Sequence, residues 1–217
     1  MQTQINMREV KFKHSALALM LGLGLPKAEA GMIDKEGMAP WEICGMCHGL
    51  DGNSHMAKFP KLAGQKADYI KSQFSAFRDG QRTNDGGQMQ AITEEILPQD
   101  IDTIARYFAG QEPPQPSVET MQKNLFDQGK TLFNEGRPGL AACINCHNSS
   151  RLDTPWLDAQ HEAYLNKQLN DFRNGTRRND PQSVMHDIAN KLQPKEQQAI
   201  THYLVHSSLR NREADQH

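Results

Sequence analysis

The 217-residue chain is short of several features, and each shortage narrows what the protein can be. Only four cysteines are present, and no apolar run after residue 30 approaches the length of about 20 residues that a membrane-spanning helix needs. No segment shows the sustained alternation of apolar and polar residues that is typical of strands. The formal net charge is −2, so the chain lacks the basic excess that nucleic-acid binding requires.

All four cysteines lie in two pentads of one pattern, so none remains for a disulfide. The pentads are Cys44-Gly45-Met46-Cys47-His48 and Cys143-Ile144-Asn145-Cys146-His147. Cys-x-x-Cys-His is the attachment motif of c-type haem. The two thiols of a pentad bind the two vinyl groups of one porphyrin as thioethers, and the histidine binds the iron on its proximal face. The sequence therefore predicts two covalently attached c-type haems.

Two other kinds of site use a Cys-x-x-Cys pair, namely zinc ribbons and thioredoxin-type redox sites. In a zinc ribbon the two pairs lie roughly 15–20 residues apart, whereas Cys47 and Cys143 are 96 positions apart. A thioredoxin-type pair belongs to a β-α-β unit, which this sequence does not predict. Structural zinc is the main alternative to haem.

Residues 1–30 have the layout of a secretory signal peptide. Three basic residues precede an apolar stretch over residues 16–25, and Ala28-Glu29-Ala30 provides a cleavage motif. We therefore expect residues 1–30 to be removed on export to the periplasm, in keeping with haem attachment outside the bacterial cytoplasm. Because four bases and two acids lie in this segment, the mature chain has a formal net charge of −4.

The two halves of the mature chain repeat each other at a shift of 95 residues. Gln65 matches Gln160 and Arg82 matches Arg177 at this shift, and Met89 matches Met185 after a slip of one residue. Each half therefore carries one haem motif, one central helix and one closing helix.

A proline-rich segment separates the two halves and cannot continue a helix. We predict a first domain at residues 31–110, a linker at 111–117, a second domain at 118–210 and a C-terminal tail at 211–217. Each domain is small for a hydrophobic core of its own, and a buried porphyrin would add apolar contacts.

Apolar residues at helical spacing predict an all-α fold. Such stripes occupy residues 66–79, 100–109 and 195–206, and Leu165, Leu169 and Phe172 repeat the first stripe in the second half. We expect these stripes to form the core of each half. Tyr107 and Tyr203 are expected to be packing residues.

The second axial ligand decides what a haem can do. A closed iron transfers electrons, whereas an open one binds oxygen, peroxide or carbon monoxide. Met185 is the only methionine after His147, and Met89 occupies the equivalent place in the first half. Met185 is predicted to lie in a loop-like segment that begins with Asn-Asp, and Met89 is predicted to lie at the equivalent loop position. We therefore predict that Met89 lies opposite His48 and Met185 opposite His147, which closes both irons.

Several other side chains compete for the distal position. Met56 is a second candidate in the first half, but it has no counterpart in the second half. The rival histidines are His55, His161, His186, His202 and His206. None of them matches a histidine in the other half, so we expect them mainly at the surface.

Further residues are candidates for the surroundings of each haem. A ligating imidazole usually donates its second N–H to an acceptor, and the carbonyls of Pro60 and Pro155 are candidates. Four arginines could pair with haem propionates, the alternative being solvated helix ends. These are Arg78, Arg82, Arg173 and Arg177.

On these motifs the chain resembles the di-haem cytochrome c4 family. The matching segments are residues 44–53, 59–65, 168–173 and 179–180, together with both methionine-to-helix segments. The resemblance implies two tandem class I cytochrome c domains, each wrapped around one haem with His/Met ligation. The chain departs from the family pattern in the shorter stretch after His147 and in the residues at 154–160. In addition, Pro40 makes the helix before Cys44 short or late.

The resemblance also implies a function. Family members carry electrons in the periplasm between respiratory redox partners, such as a terminal oxidase, a quinol-oxidising complex or a periplasmic reductase or dehydrogenase. They are soluble or loosely membrane-associated, and they are not enzymes. Two alternatives stay open at this point. One is a haem enzyme of the di-haem peroxidase or thiosulfate-oxidising type, and the other is a haem subunit of a larger dehydrogenase or reductase.

Overall fold

The computed structural model describes residues 36–210. The predicted signal peptide at residues 1–30 and the predicted tail at residues 211–217 lie outside this range. Between residues 36 and 210 the chain forms eight α-helices joined by loops and short 3-10 turns, and it contains no β-strand. The all-α prediction is therefore confirmed. No helix in the described range is long and apolar enough to cross a membrane.

The helices fall into two sets of four, of which the last three in each half are equivalent, while α1 carries the first pentad and α5 precedes the second. The first half contains α1 (Glu42–His48), α2 (Ala67–Arg78), α3 (Gln88–Glu94) and α4 (Ile101–Ala109). The second half contains α5 (Lys123–Glu135), α6 (Glu162–Arg173), α7 (Val184–Lys191) and α8 (Pro194–Val205). Helix α2 packs against α3 and α4, and α6 packs against α7 and α8 in the same way.

The helix boundaries follow from local sequence. Helix α1 begins just after Pro40, as expected from a residue that a helix tolerates only at its start. Helix α8 has Pro194 as its first residue. The Glu196 carboxylate accepts a hydrogen bond of 2.8 Å from the Gln193 N–H, which satisfies a donor that the helix itself leaves unpaired.

Each half has its own hydrophobic core, built from the apolar stripes of its helices. In the first half the buried core residues are Ile43, Phe74, Ile96, Ile104 and Phe108. In the second half they include Phe133, Leu165, Ile200, Tyr203 and Leu204. The stripes are therefore core, as the sequence indicated.

The two tyrosines of the closing helices are packing residues, as expected. Tyr107 stacks on Trp41 with a ring-centroid distance of 4.4 Å, and its hydroxyl donates to the Leu50 carbonyl at 2.7 Å. Tyr203 is completely buried against Phe126 and Phe133. Within the described residues the Tyr203 hydroxyl has no hydrogen-bond partner. Leu50, which accepts the Tyr107 hydrogen bond, lies in the stretch after His48. That stretch is longer than the corresponding one after His147.

Candidate haem sites

Each Cys-x-x-Cys-His pentad forms a tight helical turn. In α1, Cys44, Cys47 and His48 stand at positions i, i+3 and i+4, so their side chains share one face. In the second half the pentad begins with a 3-10 turn, and the His147 N–H donates to the Cys143 carbonyl at 3.0 Å. All four cysteines are free of disulfides.

The histidines of both pentads are buried and held by a proline carbonyl. His48 Nδ1 donates to the Pro60 carbonyl at 2.8 Å, and His147 Nδ1 donates to the Pro155 carbonyl at 3.0 Å. A ring that donates through Nδ1 keeps Nε2 as its lone-pair donor for a metal. The carbonyls that the sequence indicated therefore fix both imidazoles in the tautomer that can bind iron through Nε2.

Burial tunes the protonation of these groups. It lowers the pKa of His48, and it lowers the pKa of His147 to about 4, with a further contribution from the positive charge of Lys66. Burial also raises the pKa of the Cys44 and Cys143 thiols to about 11. A neutral imidazole is the form that binds a metal, and two unpaired thiols beside it match the attachment chemistry of c-type haem.

The two methionines lie in the first turn of short helices, α3 and α7, and not in loops as predicted. The Met89 N–H donates to an Asp85 carboxylate oxygen at 2.5 Å, and the Met185 N–H donates to an Asp180 carboxylate oxygen at 2.7 Å. These carboxylates satisfy donors at a helix start, where they also face the positive end of the helix dipole. Helices of seven and eight residues are too short to show a clear apolar period.

Arg78 and Arg173 tie these methionine-bearing helices to the central helices. Arg78 Nε donates to the Thr93 carbonyl in α3 at 3.0 Å, and a second nitrogen donates to the Ile96 carbonyl. Arg173 Nε donates to the Ala189 carbonyl in α7 at 2.9 Å. The alternative of solvated helix ends is therefore wrong for this pair, because its guanidinium groups bind backbone carbonyls of the methionine segments.

Arg82 and Arg177 are buried where the two halves meet, and an isolated antiparallel bridge pairs them. Each guanidinium donates hydrogen bonds to two glutamines, Gln73 and Gln168, and to a tyrosine hydroxyl of the other half. Arg82 contacts Gln73, Gln168 and Tyr164, and Arg177 contacts Gln168, Gln73 and Tyr69, all at 2.8–3.2 Å. Burial would raise the pKa of Tyr69, but the two guanidinium groups outweigh it and lower that pKa.

The interface carries a buried excess of positive charge. Of the side chains bonded in this network, Asp171 is the one carboxylate among the described residues, and Lys167 already pairs with it. Two buried guanidinium groups need anionic partners. The carboxylates of haem propionates fit this requirement, so Arg82 and Arg177 remain candidates for binding them.

The rival histidines bond mainly to backbone groups. His202 is buried and its Nε2 accepts a hydrogen bond from the Gln122 N–H at 3.0 Å, so the expected surface position is wrong for this residue. His161, His186 and His206 are half-buried and donate to backbone carbonyls. Of this set only His55 is exposed, and Met56 is exposed as well.

Sequence reasoning gave no role to Gln65 and Gln160, although it matched them in the repeat. The structure shows that each glutamine reaches across to the other half. Gln65 bonds both backbone groups of Trp156, and Gln160 bonds both backbone groups of Lys61. Trp156 and Lys61 directly follow the prolines that hold the histidines of the pentads. The repetition of a glutamine was the only available signal.

Comparison with known proteins identifies the family of the chain. No family model matches the sequence. The chain is 41% identical to the cytochrome c4 of Pseudomonas aeruginosa strain PAO1 over 197 residues, which covers 87% of this chain and 96% of that protein. The chain belongs to the cytochrome c4 family. Like its relatives, it is a di-haem c-type cytochrome whose function is electron transfer.

Two further comparisons extend this membership. The crystal structure of reduced recombinant cytochrome c4 from Pseudomonas stutzeri superimposes with a TM-score of 0.68 at 34% identity, over 81% of this chain and 99% of that one. The fold is thus the expected tandem pair of class I cytochrome c domains. A thiosulfate dehydrogenase electron acceptor from Stutzerimonas stutzeri strain A1501 is 31% identical, over 87% of this chain and 90% of its own length.

Proposed function

We propose that this cytochrome c4 is a periplasmic electron carrier with two closed, His/Met-ligated haems. His48 and Met89 are the proposed axial ligands in the first half, and His147 and Met185 those in the second. The observation that carries the proposal is the pair of matching sites, in which a neutral imidazole is fixed by a proline carbonyl. When bound, each haem supplies one-electron chemistry by cycling between Fe(III) and Fe(II).

The residues around each site keep the ligands in place. The paired cysteines hold the porphyrin covalently, which leaves the axial residues to set only the iron's coordination. Asp85 and Asp180 fix the first turns of the methionine helices, and Arg78 and Arg173 fix their last turns. A rigid ligand set keeps the reorganisation on electron transfer small. The buried apolar core of each half excludes water from the helices around the proposed ligands.

The proposed organisation follows the sequence prediction, with a signal peptide at 1–30 and domains at 31–110 and 118–210. The close helix packing lies within each half, which supports the two-domain division. A signal peptide and periplasmic haem attachment support each other. The proposed location is therefore the periplasm.

The proposed partners are redox proteins, a terminal oxidase being the first candidate on the accepting side. The similarity to a thiosulfate dehydrogenase electron acceptor favours thiosulfate dehydrogenase as one electron donor. We propose that the chain has no enzymatic turnover of its own, because both halves offer a methionine where a reactive haem needs an open position.

The test compares the holoprotein with thiosulfate alone and with thiosulfate plus a purified thiosulfate dehydrogenase, following haem absorbance. A carrier remains oxidised with thiosulfate alone and becomes fully reduced when the dehydrogenase is added. Reduction by a quinol-oxidising complex in place of the dehydrogenase would shift the donor but keep the carrier function. Sustained thiosulfate oxidation by the chain alone, with ferricyanide as acceptor, would show that it is an enzyme.

A further inference from the structure

The two glutamines that cross between the halves bind the same peptide groups that hold the proximal histidines. Gln160 Oε1 accepts from the Lys61 N–H at 3.0 Å, and Gln160 Nε2 donates to the Lys61 carbonyl at 3.0 Å. The Lys61 N–H belongs to the peptide bond whose carbonyl is that of Pro60. That carbonyl accepts from His48 Nδ1 at 2.8 Å. A continuous hydrogen-bond chain therefore runs from Gln160 of the second half to His48 of the first.

The reverse chain has the same geometry. Gln65 Oε1 accepts from the Trp156 N–H at 2.9 Å, and Gln65 Nε2 donates to the Trp156 carbonyl at 3.0 Å. The peptide bond between Pro155 and Trp156 presents its carbonyl to His147 Nδ1 at 3.0 Å. Each half thus supplies one glutamine that ends on the proximal histidine of the other half.

The orientation of both amide groups is fixed by their partners. An N–H can only donate and a carbonyl can only accept, so Oε1 must face the N–H and Nε2 must face the carbonyl. Both glutamines are buried, with 5% of Gln65 and 6% of Gln160 exposed, so water does not replace these bonds. In each half the turn before the glutamine is left-handed, with φ of 62° at Gly64 and 52° at Ala159.

We propose that Gln65 and Gln160 are positioning residues that tune the reduction potential of the iron in the opposite half. A hydrogen bond to the N–H of a peptide group polarises that group, and its carbonyl becomes a stronger acceptor. A stronger acceptor at Nδ1 gives the imidazole more electron density and makes it a more basic iron ligand. A more basic ligand stabilises Fe(III) and lowers the potential. The inference rests on the proposed ligation by His48 and His147.

A purely structural role predicts a different pattern. If the glutamines only hold the two halves together, removing either one loosens the whole interface, and both haems respond to both variants. The hydrogen-bond chain instead predicts a crossed response. Loss of Gln160 changes the haem bound to His48, and loss of Gln65 changes the haem bound to His147.

The test uses the full holoprotein with both haems, as wild type, Gln160→Leu and Gln65→Leu. Spectroelectrochemistry resolves the two potentials, and NMR of the fully reduced protein reports the Nδ1–H proton of each proximal histidine. In Gln160→Leu we expect a higher potential for the His48 haem and an upfield shift of the His48 Nδ1–H signal, with the His147 haem unchanged. Gln65→Leu should give the reverse. Equal shifts of both haems in both variants, or no shift in either, would overturn the proposal.

Two further variants complete the experiment. Gln160→Glu keeps an oxygen acceptor at the Lys61 N–H, so the His48 Nδ1–H signal should stay at or downfield of its wild-type position. This variant provides the test if Gln160→Leu does not fold. An upfield shift in this variant would count against the proposal. Tyr164→Phe removes an interface hydrogen bond to Arg82 without touching either proline peptide, and it should leave both Nδ1–H signals in place.

Failure of the proposed function is separable from failure of this inference. The wild-type spectrum shows, before any variant is made, whether both irons carry histidine and methionine. If that ligation is present and the crossed response is absent, the glutamine proposal alone is wrong.

Discussion

At position 66 the first half carries a lysine, and at the matching position 161 the second half carries a histidine. Lys66 reaches across the interface, where its ammonium donates to the Asn148 and Arg151 carbonyls and lies 4.4 Å from the centre of the Trp156 ring. His161 reaches back and donates to the Ser54 carbonyl at 2.8 Å. Both residues thus bind the loop that follows the other half's haem motif.

The two contacts differ in charge. Burial lowers the pKa of His161, so this side chain is neutral at neutral pH. Lys66 places a positive charge near His147 and contributes to the lowered pKa of that ring. The interface is therefore close to symmetric in its hydrogen bonds but not in its charges. The hydrogen bonds position equivalent groups, and the charges make the two halves unequal.

A second inequality lies at two asparagines of the interface, of which Asn84 is buried and Asn179 is half-buried. Asn84 donates to the Asp171 carboxylate at 2.6 Å and to Gln168 at 3.0 Å, whereas Asn179 donates to Gln73 at 2.9 Å. The position that matches Asp171 in the first half is Ala76. A buried carboxylate therefore occurs on one side of the interface and not on the other.

The largest expected effect comes from removing one methionine at a time. Met89→Ala should leave the first haem high-spin and able to bind carbon monoxide, while the second stays low-spin, and Met185→Ala should do the reverse. The potential of the altered haem should fall by roughly 0.1–0.3 V, within the range of about 0.8 V that axial ligands span. Carbon monoxide difference spectra and potentiometry on both variants give the result.

The methionine prediction has a matched control in Met56→Ala. Met56 is exposed and has no counterpart in the second half, so its removal should change neither spectrum nor potential. Carbon monoxide binding by Met56→Ala, together with an unchanged Met89→Ala protein, would move the distal ligand to Met56.

The asparagine pair tests whether the interface is energetically unequal. Asn84→Leu should lower the free energy of unfolding by about 2 kcal/mol, because it also removes a donor from the buried Asp171 carboxylate. Asn179→Leu should cost about 1 kcal/mol less, because Asn179 accepts from the Arg177 guanidinium as Asn84 does from that of Arg82, but it donates to no carboxylate. Denaturant unfolding of the two holoproteins measures both values. Equal losses in the free energy of unfolding would mean that Lys167 alone stabilises the Asp171 carboxylate and that the bond from Asn84 adds nothing.

The lysine tests the inequality of charge directly. Lys66→Met should lower the potential of the haem at His147 by tens of millivolts, on the order expected for loss of one nearby positive charge. The reason is that a positive charge disfavours Fe(III). His161→Gln exchanges one neutral group for another and should leave both potentials nearly unchanged at neutral pH. A larger shift in His161→Gln than in Lys66→Met would reverse the assignment of charge.

The smallest expected effect is a pH dependence that belongs to the second half alone. His202 has 6% of its surface exposed and accepts a hydrogen bond from the Gln122 N–H. Burial and the neighbouring His206 lower the pKa of His202, and Glu162 opposes them with a smaller effect. The unfolded chain therefore binds more protons than the folded protein below about pH 6.5, the ordinary histidine pKa. Stability contributed by the neutral ring is complete above that pH and decreases as the pH falls.

The measurement for this prediction is the free energy of unfolding between pH 7.5 and pH 5. One proton allows a slope of no more than about 1.4 kcal/mol per pH unit. His202→Gln should make the profile less steep, since a glutamine oxygen can accept the same N–H without titrating, while His161, whose pKa burial also lowers, keeps a dependence of its own. His55→Gln alters an exposed ring and should leave the profile as in wild type. Identical profiles for wild type and His202→Gln would exclude His202 as the group concerned.

Much of the fold was predictable because its signals are local. The pentads indicate the cofactor, and the repeat indicates two equivalent halves. The long apolar stripes predict α2, α4 and α8 to within about one residue at each end, and the repeated stripe in the second half indicates α6. The carbonyls of Pro60 and Pro155 were also predictable, since a ligating histidine needs an acceptor close to it in the fold.

Other features depend on contacts that a repeat cannot indicate. Matching Gln65 with Gln160 shows that they are equivalent, but not that each one points into the opposite half. Helices α3 and α7 are too short for a period, and their starts depend on Asp85 and Asp180. Ala159 adopts the left-handed conformation that Gly64 adopts without strain. Only the tertiary contacts around Ala159 compensate for the strain.

The most direct test of two closed, equivalent haem sites is the visible and near-infrared spectrum of the exported holoprotein, oxidised and reduced, with a haem count per chain. We expect two low-spin c-type haems, a far-red band from methionine sulfur to iron with the intensity of two sites, and no change with carbon monoxide. A high-spin haem that binds carbon monoxide in the wild-type protein, or a count below two, would contradict it.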